Sequence, residues 1–551
     1  MNESPSNLAP TALPQFEIVL SAGMHNAIRE FLFRDSSREY MGVILAGVSE
    51  TDQKVRLLGR QFIQVPSEDY QHQSAGGLAV RREYSQRLLR QCADEGLSQI
   101  DVHSHPFGPS PNLWFSGTDD AHEQRMAEYI YERLEGSLYA SLVMNQGYSK
   151  ARIWLPYPDG VKEHEISSLV LAESPFRRLD ISSSDKSDQP RLTEGERDIF
   201  ARQVLAFGEK GQLAISKVAV GVIGAGGQGS TIVEGLARLG VRNLTIIDPD
   251  VAELSNINRV AGMTIEDGKA GIAKVEIASR TVRAINPDAN VLAVKASVFA
   301  SASIEYLKVC DIIVVATDNH ATRMFAQRIG AQYLIPVVSV GVNIEVGDDG
   351  SLADVSGEYA IALPGATGWC LTCARVYDAE RAAIELADAA EQQRWIQRGY
   401  IDGADVKAPA VSHLNGVVAN LALAEIHNLL APFKKFVSYL AYDQLRGELM
   451  PYTIERNPTC AVCSDSGLLG LGDLEPIPDY ERTMGKPLDV STVPEGRSDG
   501  GEQTEDEAIE QVTTTDSTVA INAPEAAAAL PVDDFAAEIT EGGDAETRSQ
   551  A

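Results

Sequence analysis

The chain lacks any apolar run that approaches the ~18 residues of a membrane-spanning helix. Its first residues, MNESPSNLAP, have neither the basic start nor the apolar core of a secretory signal. These two absences argue against a membrane partner and against export. We therefore expect a cytoplasmic protein.

Basic residues are scarce in this sequence. The chain has 47 Lys and Arg against 78 Asp and Glu, which gives a net charge of −31. The region from Asp489 to Ala551 accounts for −14 of this charge, and the remaining chain accounts for −17. Non-specific nucleic-acid binding relies on Lys and Arg that neutralise phosphates, so we expect no nucleic-acid partner.

Cysteine is also rare, with six among 551 residues. Four of the six form the CxxC pairs Cys370/Cys373 and Cys460/Cys463. So few thiols argue against a disulfide framework and favour metal ligation in a reducing compartment. Four thiolates in two CxxC knuckles form a closed tetrahedral zinc site, which would hold the C-terminal part against its domain. Redox chemistry is the alternative.

The stretch from Val218 to Lys274 carries a nucleotide-binding pattern. A run of β-branched residues leads into a GxGxxG turn, where backbone N–H groups can approach a phosphate without a Cβ in the way. A second apolar strand, 244–247, ends at Asp248, the position where an acid meets a ribose hydroxyl in such sites. The glycines of the turn are Gly224, Gly226 and Gly229.

An amide and two cations follow the second strand, at Asn258, Arg259 and Lys274. Negative charge develops at an α-phosphate during nucleotidyl transfer, and two fixed cations suit a triphosphate that is attacked there. A dinucleotide-binding oxidoreductase is the alternative with the same glycine turn. Hydride transfer has no need of these cations, so the pattern favours nucleotidyl transfer.

Further motifs follow one another in a defined order: FARQ, GAGGQGS, DPDVAELSNINR, GIAKVE, INP, DIIVVATDN and the two CxxC pairs. In this order they resemble the ubiquitin-activating-enzyme superfamily in its bacterial ThiF/MoeB/HesA form, over roughly Glu196 to Leu471. Members of that family bind ATP and Mg²⁺ and adenylate the C-terminal glycine carboxylate of a small ubiquitin-like protein. The resemblance therefore implies an adenylyltransferase.

The same resemblance assigns roles to individual residues. It implies that Asp248 holds the ribose, that Arg259 and Lys274 hold the phosphates and take part in catalysis, and that Asp318 holds Mg²⁺. It further implies that Arg202 reaches into the site of a partner subunit as a catalytic residue, which predicts a homodimer.

A thioester acceptor is missing from the expected place. Many activating enzymes pass the adenylated carboxylate to a cysteine on a crossover loop before a late helix. The corresponding stretch here, residues 408–420, holds Ser412 and His413 but no cysteine. Once the CxxC pairs are set aside, only Cys92 and Cys310 remain. We expect adenylation without an enzyme-bound thioester at this position.

A second motif begins at the end of an apolar strand, with His103, Ser104, His105 and Pro106. Two histidines separated by one residue point to the same face of a strand, so both can bind one metal. Asp119 would be a third ligand and leave the fourth position of a catalytic zinc open for water. Glu39 would be the general base and Ser116 an oxyanion donor.

Each of these residues also has a structural reading. The HSH segment alone is more often a solvated loop, Glu39 could be a surface acid, and Ser116 could cap the helix that contains Asp119. Together they resemble the JAMM/MPN (JAB) zinc metalloprotease family, over roughly Phe16 to Pro158. The family usually has about three fewer residues between the second histidine and the serine. The longer stretch here, FGPSPNLWF, either shapes a substrate groove or displaces Ser116 and Asp119.

These patterns predict an α/β protein in several parts. The first is an N-terminal α/β JAMM domain of the cytidine-deaminase-like type at 15–172, followed by a linker at 173–193. A Rossmann-like, doubly wound activating-enzyme domain with its four-cysteine zinc clip follows at 194–471. The residues from 474 to 551 are rich in Pro, Thr, Ala and acids with almost no aromatics, so we expect a disordered acidic tail.

The two resemblances share a substrate end, because JAMM enzymes cut after the terminal glycines that activating enzymes adenylate. We therefore expect a bifunctional enzyme for a ubiquitin-like or sulfur-carrier protein ending in Gly-Gly. Its cofactors would be catalytic and structural zinc, ATP and Mg²⁺, and a conjugating enzyme or a sulfur donor would act next. Two alternatives stay open: adenylation of a peptide or small carboxylate beside a recognition-only JAMM domain, and a scaffold whose tail recruits partners.

Overall fold

The structure is a computed structural model that describes residues 13–182, 191–387, 409–478, 480 and 491–492. The chain divides at Thr492/Val493 into two units, and all described residues lie in the first. Below, the first half means residues 13–182 and the second half means the described residues from 191 onward. Among the described residues, no helix is both long and apolar enough to cross a membrane.

The first half is built on a mixed nine-stranded sheet in the order β11-β10-β1-β3-β2-β6-β7-β8-β9. Its strands are β1 (Gln15–Ser21), β2 (Met41–Glu50), β3 (Lys54–Gln64), β6 (Ser98–Ser104), β7 (Tyr139–Met144), β8 (Ser149–Tyr157), β9 (Gly160–Glu165), β10 (Ser168–Ala172) and β11 (Arg177–Asp180). A separate hairpin is formed by β4 (Tyr70–Ser74) and β5 (Gly77–Val80). The helices are α1 (Ala22–Leu32), α2 (Arg82–Glu95) and α3 (Gly117–Arg133).

Strand β6 lies in the interior of this sheet, between β2 and β7, and every one of its residues is buried. It pairs antiparallel with β2, where Met41 lies opposite His103, and parallel with β7. A slip of one residue would turn every side chain of this buried strand to the opposite face of the sheet, so its register is strongly specified. The end of β6 is therefore held in place by neighbours on both sides.

The second half contains another nine-stranded sheet, in the order β19-β18-β17-β16-β15-β12-β13-β14-β20. Its strands are β12 (Ala219–Ile223), β13 (Asn243–Ile247), β14 (Asn290–Lys295), β15 (Ile312–Val315), β16 (Val337–Val346), β17 (Leu352–Ala362), β18 (Tyr439–Asp443), β19 (Glu448–Pro451) and β20 (Ser491–Thr492). Its helices are α4 (Glu194–Ile199), α5 (Ala201–Lys217), α6 (Gly227–Leu239), α7 (Ile265–Ala270), α8 (Lys274–Ile285), α9 (Ser301–Lys308), α10 (His320–Gln332), α11 (Ala379–Leu386) and α12 (Ser412–Leu430).

Strands β12 to β16 of this sheet pair in parallel with one another. The chain runs outward from β12 to β13 and β14, and then returns to the other side of β12 with β15 and β16. The carboxyl ends of β12, β13 and β15 therefore meet at the point where the strand order reverses, which is where ligands bind in doubly wound sheets. This is the predicted Rossmann-like architecture.

The structure differs from the predicted segments at the start of the linker and at the start of the tail. Part of the predicted linker 173–193 is regular structure, because β11 pairs antiparallel with β10. Part of the predicted tail also belongs to the body: the ring of Tyr480 packs against those of Phe299 and Phe325, and 491–492 pair with β14. Composition misses these segments because each is only a few residues long. The remaining tail and residues 183–190 of the linker lie outside the described residues.

The two halves share a buried ionic cluster. Arg56 Nε lies 3.0 Å from Glu17 of the first half, and its Nη2 lies 3.1 Å from Asp311 of the second. Arg178 contacts both carboxylates as well. Burial acts to raise the pKa of Glu17, but Arg56, Arg178 and Lys54 hold this pKa well below its usual range. The carboxylates are therefore charged and paired across the junction.

Apolar contacts surround this cluster. Val19, Leu58 and Val170 lie on strands of the first sheet, yet they are buried together with the core of the second half. The N–H of Phe176 also donates to the carbonyl of Leu429 at the end of α12, over 2.8 Å. One face of the first sheet is therefore covered by the second half.

We predict that Arg56→Met destabilises the protein, because it leaves two buried carboxylates with fewer partners. Breaking such a buried pair costs about 3–5 kcal/mol. The folded-state pKa of Glu17 is depressed, so its stabilising effect is present above the ordinary carboxyl pKa and is lost as the pH falls. Urea unfolding at pH 7 should show the full difference between wild type and variant, and this difference should shrink toward pH 3.

Arg133→Met is the matched control, because Arg133 is exposed, where it pairs with Glu132 and stacks over the ring of Tyr129. We expect no measurable change in the free energy of unfolding for this control. Equal stability of Arg56→Met and wild type at pH 7 would contradict the assigned role.

Candidate functional site

Three potential metal ligands converge at the end of β6. The ligand atoms of His103, His105 and Asp119 all lie within 4.8 Å of one another. His103 Nε2 is 3.8 Å from Asp119 Oδ2. His103 lies in β6, His105 directly follows its last residue, and Asp119 lies in the first turn of α3. The longer loop has therefore not displaced Asp119 from the histidines.

The protonation states of these three side chains favour the binding of a metal cation. Burial lowers the pKa of both imidazoles, which keeps them neutral with a free lone pair. Burial acts to raise the pKa of Asp119, but His103 and hydrogen bonds from Ser116 hold it below its usual range. His103 Nε2 is buried and has no hydrogen-bond partner, and such an orphaned atom is costly unless it binds something. Two neutral imidazoles and one carboxylate fit a catalytic zinc with one open position.

Glu39 lies beside this cluster but is not one of its ligands. It is only 6% exposed, and it directly precedes Tyr40 and β2, whose first residue pairs with His103. Burial, and then the charge of Asp119, raise the pKa of Glu39 to about 7. A bound dication would lower this pKa again. A carboxylate in this position can take a proton from a metal-bound water, as the sequence predicted.

Ser116 is the N-cap of α3. Its Oγ accepts the N–H of Asp119 at 3.2 Å, and its own N–H donates to Asp119 Oδ2 at 2.6 Å. The structural reading of Ser116 is therefore confirmed. The cap also fixes the orientation of the Asp119 carboxylate. Because the hydroxyl accepts in this cap, its hydrogen remains available, and the oxyanion role stays a prediction.

The second centre is the glycine turn after β12. Gly224 has φ 93°, a left-handed conformation that favours glycine. A Cβ on Gly229 would lie 1.9 Å from the carbonyl oxygen of Gly224. The turn leads through Gly226 into the N-terminus of α6. Backbone N–H groups at this end of a helix can bind a phosphate.

Asp248 holds the turn from the neighbouring strand. Its carboxylate accepts the N–H of Ala225 at 2.6 Å and the N–H of Asp250 at 2.8 Å. It is 5% exposed, and burial raises its pKa. Each carboxylate oxygen has further lone pairs, so a ribose hydroxyl can still bind there.

The predicted cations border this turn. Lys274 Nζ donates to Asp250 Oδ2 at 2.7 Å, and Arg259 Nη1 donates to the carbonyl of Ser255 at 2.8 Å and to Asn258 Oδ1 at 3.0 Å. These partners hold the two side chains at the carboxyl end of β13. A triphosphate would compete for the same donors.

Asn415 is a residue at this centre that sequence reasoning missed. It is 4% exposed on α12, and a Cβ on Gly227 would lie 2.4 Å from its Nδ2 and 3.4 Å from Arg259 Cβ. Its side-chain amide therefore borders the turn. No local spacing marks this residue, because it lies about 190 residues after the turn.

The last two predicted residues lie on the surface. Asp318 is exposed after β15, beside the strand that ends in the glycine turn, which is where the sequence placed a Mg²⁺ ligand. Arg202 is exposed on α5. Its role in a partner subunit stays a prediction, as does the homodimer.

The four CxxC cysteines form a third centre. Cys370 Sγ lies 3.8 Å from Cys373 Sγ and 3.7 Å from Cys460 Sγ, and Cys373 Sγ lies 3.5 Å from Cys463 Sγ. A tetrahedral site with ~2.3 Å Zn–S bonds separates its sulfurs by ~3.8 Å. The spacing therefore fits zinc, and a disulfide would bring a pair of sulfurs to ~2.05 Å.

The segment after Cys463 contacts the first half. Arg60 of β3 donates to the carbonyls of Gly467 at 3.0 Å and Leu469 at 2.7 Å. Further along, the N–H of Asp473 donates to the carbonyl of Val48 in β2, over 2.6 Å. The cysteine centre therefore lies at the base of a strap, residues 464–473, that crosses to the first sheet.

The two other cysteines are poor nucleophiles. Cys92 and Cys310 are each 1% exposed, and burial raises the pKa of each thiol to about 12. The thiolate is the reactive form, so both are inert near neutral pH. The absence of a thioester on the crossover stretch stays a prediction.

Comparison with known proteins covers the second half. Residues 200–462 match the model of the ThiF family. The sulfur carrier protein adenylyltransferase of Thermus thermophilus is 27% identical over 283 residues, which are 50% of this chain and 93% of that protein. The ubiquitin-like modifier-activating enzyme 5 of Aedes aegypti is 26% identical over 258 residues, which are 45% of this chain and 59% of that protein.

A solved structure also matches. E. coli MccB with MccA-N7isoASN has 19% sequence identity and a TM-score of 0.40 over 48% of this chain and 74% of that chain, a likeness too weak to carry an argument. The family match shows a ThiF-family domain at residues 200–462 of the second half, as the motif order predicted. The match begins at Phe200, so the JAMM resemblance of the first half stays a prediction.

We predict two zinc ions per chain, measured by plasma mass spectrometry on protein purified without chelator. His105→Ala should leave one ion, because it removes a ligand of the β6 cluster, and Cys373→Ser should leave the other. Cys92→Ala is the matched control and should keep both. Retention of two ions in His105→Ala would show that the β6 cluster binds no zinc.

We predict that the cysteine centre controls the order of the strap. Cys463→Ser should raise hydrogen exchange in residues 464–473 and in the parts of β2 and β3 that contact them, because the strap is then tied at one end only. Hydrogen–deuterium exchange read by peptide mass would measure this, with Cys92→Ala as control. Unchanged exchange in β2 would contradict the link between metal and strap.

Proposed function

We propose, from the ThiF-family domain at residues 200–462, that this protein is a bifunctional enzyme acting on a ubiquitin-like or sulfur-carrier protein. The second half would adenylate the C-terminal carboxylate of the carrier with ATP. The first half would be a zinc hydrolase that cuts after the terminal Gly-Gly, either to trim a precursor or to release a conjugate. The convergence of His103, His105 and Asp119 is the observation that supports the hydrolase.

The adenylation follows from the geometry of the glycine turn. A carrier carboxylate oxygen attacks the α-phosphorus of ATP, a P–O bond forms, and pyrophosphate leaves with the electrons of the broken bond. Orientation and charge neutralisation supply most of the rate. Lys274 and Arg259, released from Asp250 and Ser255, would neutralise the phosphates, Asp248 would hold the ribose, and Asp318 would hold Mg²⁺.

The cluster on β6 supports the proposed hydrolysis. His103, His105 and Asp119 would hold zinc, which would supply an acidified water and polarise the scissile carbonyl. Glu39 takes the proton of that water and delivers it to the leaving amine as the C–N bond breaks. The hydroxyl of Ser116 would donate to the oxyanion. The oxygen of that water becomes part of the new carboxylate, which is the group that the second half would adenylate.

The names of the two relatives indicate the kind of substrate. One refers to a sulfur carrier protein and the other to a ubiquitin-like modifier. Both names support a small protein as the carboxylate substrate over a free small carboxylate. The product of adenylation would go to a sulfur donor or a conjugating enzyme, because neither Cys92 nor Cys310 is an accessible acceptor.

We predict two linked activities on a folded carrier that has residues after its Gly-Gly. With enzyme, ATP, Mg²⁺ and Zn²⁺, intact mass should show loss of the extension, and ATP–pyrophosphate exchange should then depend on the trimmed carrier. Glu39→Gln should abolish the mass change but not the exchange on a carrier supplied already trimmed. Lys274→Ala and Arg259→Ala should lower exchange by about 10²–10³-fold and leave trimming intact.

Lys162→Ala is the matched control, because Lys162 is an exposed cation that pairs with Asp159 and lies over the ring of Tyr157. It should change neither activity. Exchange without trimming would support the recognition-only reading of the first half. Absence of both activities on a folded carrier would contradict the proposal.

A further inference from the structure

Two exposed aromatic rings stand beside the metal-ligand cluster, on the loop between His105 and Ser116. Phe107 is 64% exposed and Trp114 is 57% exposed. Their ring centroids lie 6.2 and 6.1 Å from that of the His105 imidazole. Both rings therefore flank one proposed metal ligand.

The loop that carries these rings is anchored. Asn145 Nδ2 donates to the carbonyl of Ser110 at 2.7 Å, and Leu113 is buried. Pro109 lies so close to Gly147 that a Cβ there would be 3.0 Å from Pro109 Cβ. These contacts anchor the middle of the loop, in which residues 109–112 are exposed. Phe107 and Trp114 are the exposed aromatic residues on its two sides.

Phe115 shows how an aromatic residue of this loop behaves when its role is structural. Its ring lies 6.3 Å from that of His103, and the guanidinium of Arg152 stacks over it at 3.9 Å. It is only partly exposed. Phe107 and Trp114 have no such cover, although apolar surface gains free energy when it leaves water.

The position of the rings indicates what would cover them. A polypeptide whose carbonyl reaches the open position next to His103, His105 and Asp119 must pass beside the rings. Under the proposed function, the residues before the cleaved bond are glycines, which have no side chain. The residue directly after the cleaved bond is then the nearest residue to that bond whose side chain could contact the rings.

We propose that Phe107 and Trp114 form an aromatic pair that binds an apolar side chain directly after the cleaved bond. This inference rests on the proposed hydrolase function and adds its substrate class: carriers whose extension begins with an apolar residue. The three or so additional residues of this loop would then determine which extension is bound. The metal ligands His103, His105 and Asp119 would remain in place.

The test uses a series of folded carriers that end in Gly-Gly followed by an extension beginning with Leu, Phe, Ser or Asp. Wild-type enzyme should cleave the Leu and Phe carriers with kcat/KM about tenfold or more above the Ser and Asp carriers. Trp114→Ala and Phe107→Ala should each lower kcat/KM for the Leu carrier by about tenfold, chiefly through KM, and should flatten the preference. Trp114→Phe should restore most of it.

Tyr129→Ala is the matched control, because Tyr129 is an exposed aromatic on α3. It should change neither kcat/KM nor preference. Zinc content should stay at two ions per chain in every aromatic variant, which separates a lost side-chain contact from a damaged metal site. Binding of labelled carriers to Glu39→Gln protein, read by fluorescence anisotropy, should show the same order of preference without turnover.

The outcomes distinguish failure of the aromatic pair from failure of the hydrolase function. A wild-type enzyme that cleaves the Leu and Asp carriers equally, or a Trp114→Ala variant that keeps the preference, would overturn the aromatic pair and leave the hydrolase standing. Failure to cleave any carrier, with Leu and Asp carriers bound equally by Glu39→Gln protein, would overturn both.

Discussion

The structure depends on the charge pairing that Arg56 makes between two carboxylates of different halves. Its guanidinium contacts Glu17 and Asp311, and it also donates to the carbonyls of Lys308 and Cys310 at 3.1 and 2.8 Å. A buried guanidinium needs such saturation, because an unpaired charge in this place would cost several kcal/mol. The directional bonds fix one orientation of the halves, which apolar contacts alone would leave less defined.

Local sequence patterns allowed all three candidate centres to be predicted. The glycines of the turn are required by backbone geometry within six residues, and the HSH segment needs only a strand to bring its imidazoles together. Two CxxC pairs carry their own geometry in the same way. These signals are short-range, so they survive without knowledge of the tertiary structure. The ThiF match confirms the family resemblance of the second half, whereas the proposed zinc hydrolase rests on the converging ligand atoms.

Contacts between distant segments could not be predicted. Asn415 reaches the glycine turn from α12, and the strap at 464–473 reaches β2 from the cysteine centre. Neither depends on a local spacing, since each is fixed by how whole elements pack. Charge in the sequence is equally ambiguous: Arg56 and Arg133 look alike in composition, yet one is buried in an ionic cluster and the other is exposed. Burial decides the difference, and burial is a property of the fold.

The same packing sets the path of the proposed substrate. Asp311 and Ala219 stand at the amino ends of β15 and β12 and face the first half, where Asp311 accepts the N–H of Ala219 at 3.0 Å. Gly224 follows the carboxyl end of β12, so at ~3.3 Å per residue the five-residue strand places the nucleotide centre ~16 Å beyond the junction. The nucleotide centre therefore lies at the opposite end of β12 from this junction. Under the proposed function, a trimmed carrier must leave the cluster on β6 before its carboxylate can reach ATP, so the two steps share a substrate without a direct transfer between sites.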